Sequence, residues 1–194
     1  FSCTDSNARA RNEAHTSSQS ATARTPGNPM TPPKTLLQPG SAPLLEPEFV
    51  DALKEIFEEK IVFNRVLGLK VLSLYADGAI GRIDMRPELV GHYAYNRVHG
   101  GAISAGLDAM GGLAVMAAVG AKHMDEPLDQ RLHRFTRLGT IDLRVDYLRP
   151  GIGDHFELHA KVLRLGSRVA STRMEFFGPD GTLMATGAGA YIVS

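Results

Sequence analysis

A chain of 194 residues is enough for one domain with a full core and too short for two comfortable ones. Its 21 basic and 21 acidic residues cancel, which argues against nucleic acid or an anionic membrane as the main partner. The single cysteine, Cys3, excludes an internal disulfide and no Cys/His cluster has zinc-ligand spacing, so no metal is expected and a reducing, cytoplasmic setting is.

Residues 1–43 are rich in Ser, Thr, Ala, Asn, Pro and Arg, with almost no periodic apolar content. Such a segment buries too little surface to offset its ordering entropy, which predicts a disordered extension over 1–43 and one domain over 44–194. Met30 precedes an ordinary-looking leader, so residues 1–29 are expected to have no structural role. No apolar stretch precedes a small-residue cleavage site, and no secretory signal is expected.

Pro47 suits the first turn of a helix. Phe49, Leu53, Ile56, Phe57 and Ile61 then recur at spacings of three and four, predicting an amphipathic helix of about four turns. From Leu69 the period becomes two. Residues 69–76 and 79–86 read as strands joined at Asp77-Gly78, a dipeptide suited to a tight hairpin.

A loop from Val90 to Arg97 leads into residues 102–119, which are small or apolar almost all round. A helix apolar on every side belongs inside a protein or a membrane. This run is short for a bilayer and carries glycines and an acid, so it reads as a buried central helix. A carboxylate there is costly unless paired, hydrogen-bonded or protonated, which singles out Asp108.

Residues 121–138 form a charged connector. Leu128, Leu132, Phe135 and Leu138 cover one side of a short helix, with Arg131, Arg134 and Arg137 elsewhere on its surface. Four strands follow over 139–148, 155–165, 168–177 and 182–193, the last three as an antiparallel meander with Gly166-Ser167 and Pro179-Asp180-Gly181 at the turns. The whole predicts an α+β fold: an antiparallel sheet of about six strands wrapped round a long central helix, with an extra N-terminal helix. A second copy of the chain is the simplest cover for the helix face the sheet leaves open.

His99-Gly100-Gly101, with an acid nine positions after the histidine, resembles the hotdog-fold thioesterases of the phenylacetate-pathway (PaaI) type. The likeness spans about residues 48–193, and the element order matches. The stretch Arg137 to Gly151 and the triplet Phe63-Asn64-Arg65 resemble the bacterial medium- and long-chain acyl-CoA thioesterases of the YigI type.

The resemblance implies hydrolysis of an acyl-CoA thioester, with coenzyme A as part of the substrate and no separate cofactor. That chemistry needs a polarised carbonyl and an activated water or a carboxylate nucleophile. Gly100 and Gly101, at the start of the central helix, offer unpaired backbone N–H groups for a developing oxyanion, and Asp108 offers the base or nucleophile. Seven residues of helix separate Gly101 from Asp108 by roughly 10 Å. One chain cannot aim both at one carbon; two antiparallel copies can, and a homodimer or dimer of dimers with composite sites is expected.

Thr140 matches a position where related enzymes place a hydroxyl that orients the attacking water. Many relatives carry an asparagine six residues before the histidine; this chain has Tyr93 there and Asn96 closer by, and either is a candidate to replace it. His99 either orients the loop or meets the thioester. Ser104 lines the pocket or back-bonds to the helix. Arg149 and Arg168, at strand ends, are candidates for the phosphates of coenzyme A, against the default of solvated arginines. Met110, Leu113 and Met116 line the acyl site or are plain core. Two rivals stand: a hydratase or dehydratase on the same fold using His99 and Asp108 as acid and base, and a non-catalytic acyl-CoA-binding module.

Overall fold

The computed structural model describes residues 45–194, so the extension predicted over 1–43 and the boundary at Met30 lie outside the described residues. Pro47 opens α1 (Pro47–Glu55), whose Phe49 and Leu53 are buried as the spacing predicts. The predicted helix continues unbroken to Ile61. Instead the chain widens into one π turn, Ile56–Lys60, and restarts as α2 (Val62–Leu67). Phe57 stays buried, Ile61 is exposed, and the buried Asn64 amide donates to the Phe57 carbonyl at 3.0 Å. Val62, Phe63 and Val66 are exposed, which is why apolar periodicity did not reveal α2. Gly68 ends it in the left-handed conformation, φ 69°.

Strands β1 (Leu69–Tyr75) and β2 (Gly78–Asp84) form the predicted hairpin, with its turn at Ala76-Asp77 rather than Asp77-Gly78. Gly78 is drawn into the sheet because it pairs on both sides, with Tyr75 and with Lys161. The predicted loop before the central helix contains a small ribbon, β3 (Val90–His92) against β4 (Arg97–Val98).

Strands β5 (Gly139–Tyr147), β6 (His155–Leu165), β7 (Val169–Phe177) and β8 (Leu183–Ile192) complete a six-stranded sheet in the order β1-β2-β6-β7-β8-β5. Every pairing in it is antiparallel, and β6-β7-β8 is the expected meander. β5 sits at an edge beside β8, with an irregularity in register between Thr140 and Asp142.

The central helix is α3 (Gly100–Lys122). It alone among the described residues is long and apolar enough to cross a membrane, and 72% of that window is buried inside the protein. Leu107, Met110, Leu113, Ala114 and Ala117 are fully buried in the main core with Phe156, Leu158 and Met174 of the sheet. Met110, Leu113 and Met116 are therefore part of the core.

The connector contains α4 (Leu128–His133), and here the surface placement of Arg131 is corrected. Arg131 is 4% exposed, pairs with Glu46 at 2.9 Å and lies over the Phe49 ring at 4.1 Å. Its flat guanidinium covers an aromatic face while reaching a carboxylate, so an arginine suits a site that looks apolar.

Candidate active site

The N-terminus of α3 is held from several sides. The His99 N–H donates to the Leu89 carbonyl at 2.7 Å, and the Val98 N–H to the Gly151 carbonyl at 2.9 Å. Tyr147 of β5 donates its hydroxyl to the Gly100 carbonyl at 2.9 Å. His99 is the helix cap: its Nδ1 accepts the Gly101 N–H at 2.8 Å. An accepting Nδ1 places the proton of the neutral ring on Nε2. The expectation of two unpaired N–H groups is thus corrected, because a side chain that caps the helix necessarily occupies one of them. The Gly100 N–H has no acceptor among the described residues. Ser104 back-bonds, donating to the Gly101 carbonyl at 3.1 Å.

About two turns along, Asp108 is only partly buried. Its Oδ1 accepts from Thr140 Oγ1 at 2.9 Å and lies 3.2 Å from the Tyr191 hydroxyl, which also donates to the Asp108 backbone carbonyl at 3.0 Å. Oδ2 has no hydrogen-bond partner among the described residues. Asp108 and Thr140 line a cleft of about 280 Å³ whose walls are Phe57, Ile61 and Phe63 on one side and Ala105, Ala109 and Leu138 on the other. One carboxylate, with its hydroxyl partners, is set among mainly apolar side chains, with the Asn64 amide there taken up by the Phe57 carbonyl. It can take a proton from water or attack a carbonyl carbon there.

Tyr191 is buried, and burial pushes its phenol far above the ordinary tyrosine range, with the Asp108 charge acting in the same direction. It is therefore a neutral donor at any working pH.

The structure joins Asp108 and Thr140, with Ser104 one helical turn before Asp108 on α3, but leaves the other predicted residues apart from them. Gly100, Gly101 and His99 lie near the start of α3. Tyr93 is 93% exposed and stacked on His92 at 5.9 Å, and Asn96 is exposed in the left-handed conformation at φ 46°. Arg149 donates to the Leu183 carbonyl at 2.8 Å, and Arg168 is exposed in the β6–β7 turn.

A larger groove, about 710 Å³, lies at the other end of α3, near Lys122, Arg137 and the Gly166-Ser167 turn. Glu126 there pairs with both His123 and Arg134. The groove is lined mainly by charged and polar side chains, Lys122, Asp129 and Arg137 among them, where the smaller cleft is walled largely by apolar ones.

Sequence reasoning missed Tyr191, Tyr147 and the wall formed by Phe57, Ile61 and Phe63. The one available signal was Tyr191 itself, a single large side chain ending the small-residue run Thr186 to Ala190.

Comparison with known proteins adds to this geometry. The family model of the thioesterase superfamily matches residues 95–185. The medium/long-chain acyl-CoA thioesterase YigI of Salmonella typhimurium is 35% identical over 153 residues, covering 79% of this chain and 99% of that protein. Its Escherichia coli K12 counterpart is 34% identical over the same length. A crystal structure from Shewanella oneidensis, of a protein related to the thioesterase superfamily, is 38% identical with TM-score 0.71, covering 77% of this chain and 100% of that one.

Proposed function

The chain belongs to the thioesterase superfamily, with the hotdog fold and thioester hydrolysis that this implies, and we propose that its substrate is a medium- to long-chain, or aryl, acyl-CoA. The observation that carries the reading is the Asp108 carboxylate, held by Thr140 at the polar end of an apolar cleft. The relatives named as medium/long-chain acyl-CoA thioesterases support the chain-length class.

In this reading Asp108 Oδ2 takes a proton from a water that attacks the thioester carbonyl, or attacks that carbon itself to give an anhydride that a water then hydrolyses, freeing the acid and the carboxylate. Charge develops on the carbonyl oxygen, where backbone N–H groups stabilise it. The carbon–sulfur bond then breaks, and the leaving thiolate recovers a proton. The N–H donors come from the α3 N-terminus of a second copy, because about two turns of helix separate them from Asp108 within one chain. Gly100 offers a free N–H, and Gly101 a second once His99 releases it. The same separation works against a hydratase using His99 and Asp108 of one chain as a pair. Arg149 and Arg168 are the candidates for the phosphates of coenzyme A. A balanced charge and a lone cysteine suit the cytoplasm.

The test is thiol release from an acyl-CoA series, short aliphatic through long-chain plus phenylacetyl-CoA, run beside Asp108→Asn. The expected result is turnover that peaks at medium to long chains and falls by on the order of 10²–10⁴-fold in the variant. Water addition to a crotonyl-type thioester, or binding with no release from any member, would overturn the reading in favour of a rival.

A further inference from the structure

We propose that Tyr191 is a positioning residue for the Asp108 carboxylate, holding it in the one orientation that presents Oδ2 to the cleft. The inference rests on the assignment of Asp108 above. A carboxylate on a helix turns freely about two single bonds, so the direction of Oδ2 is set by whatever pins Oδ1. Two hydroxyls are available to do so.

Thr140 comes from edge strand β5, next to its register irregularity, and is itself exposed. Tyr191 comes from β8, which is paired on both sides, with β7 and β5. It is 1% exposed, against Val115 and Ala170. Its hydroxyl lies within 3.0 Å of the Asp108 carbonyl and 3.2 Å of Oδ1, so one rigid phenol ties the backbone and the side chain of the same residue to the sheet. The helix is shaped to admit it. A Cβ on Gly111 would stand 2.2 Å from the Tyr191 oxygen, so only glycine leaves room for the hydroxyl.

The cleft's other polar side chain, Asn64, donates to the Phe57 carbonyl, so Thr140 and Tyr191 are the side-chain donors that reach Oδ1. Without the Tyr191 hydroxyl, Oδ1 is held by Thr140 alone and Oδ2 is no longer fixed toward the cleft.

The experiment measures kcat and KM for the full chain with octanoyl-CoA, comparing wild type, Tyr191→Phe and Asp108→Asn. The phenylalanine is isosteric apart from the hydroxyl. The expected result is a kcat lower by about tenfold with a KM within about twofold, the split expected of a positioning residue. Site-specific 3-fluorotyrosine at position 191 keeps the ring and makes a stronger donor. It should keep kcat at or above the wild-type value. Wild-type kcat in Tyr191→Phe, with Asp108→Asn inactive, would overturn this inference alone. An active Asp108→Asn would overturn the site assignment beneath it. Should Tyr191→Phe lose its near-ultraviolet dichroism, the fluorotyrosine protein decides: a kcat at or above wild type supports the proposal and one as low as that of Tyr191→Phe sinks it.

Discussion

Met110, Leu113 and Ala114 of α3 are fully buried in the main core, while Ala105, Asp108, Ala109 and Gly112 of the same helix line the open cleft. The two faces are built from nearly the same small and apolar residue types. What separates them is the opposing surface: a continuous sheet on one side, and on the other a helical segment that is interrupted and partly withdrawn. The π turn and exposed Ile61 are part of that interruption. A carboxylate is tolerated on the second face because the cleft is open there and Thr140 and Tyr191 donate to it.

Glycines on α3 give the sharpest way to break this comparison. A Cβ at Gly120 would lie 2.0 Å from the Phe49 ring, which is buried and itself packed against Arg131 and Phe135. Gly120→Ala should cost about 2–3 kcal/mol in urea unfolding, the ordinary result of overpacking a close-packed site. A variant as stable as wild type would mean that this part of the core has slack. At Gly112 a Cβ meets nothing nearer than 3.8 Å. Gly112→Ala should therefore stabilise by about 0.5–1 kcal/mol, since alanine loses less backbone entropy in a helix. Destabilisation there would show that the cleft is closed in solution.

The smallest effect belongs to Glu46. Its hydrogen bond with Arg131 holds the carboxyl below the usual carboxylate range. A lowered folded-state value means that the stabilisation is fully present above the ordinary carboxylate pKa and is lost as pH falls through the lowered one. Glu46→Gln should lower Tm by about 1 °C at neutral pH, and the gap should close as pH falls through the lowered value. A gap that persists in acid would assign the effect to packing.

Much of this was legible from residue patterns because strands and amphipathic helices repeat with fixed periods. α1 followed from apolar spacing, the meander from its turn residues and α3 from being apolar all round, and Asp108 stood out through the cost of a lone acid. Thr140 was visible only through family likeness, since a strand threonine is ordinary. Tyr191 lies 83 residues from Asp108 in the chain, and no local pattern reports that contact. Arg131 was misplaced because charge alone says surface, whereas its ring and carboxylate partners come from the separate segment 46–49. The N-cap role of His99 was not legible: the sequence offered a histidine that orients the loop or meets the thioester, and the capture of the Gly101 N–H depends on side-chain geometry.

The order in which the chain is made gives Asp108 a further consequence. As α3 leaves the ribosome, strands β5 to β8 have yet to be synthesised, and the helix is by length and composition a candidate for insertion into lipid. An aspartate placed near the middle of such a segment opposes partitioning into a bilayer by about 2.5–3.5 kcal/mol. The same carboxylate thus weighs against a wrong destination during biosynthesis, before the sheet exists to cover the helix.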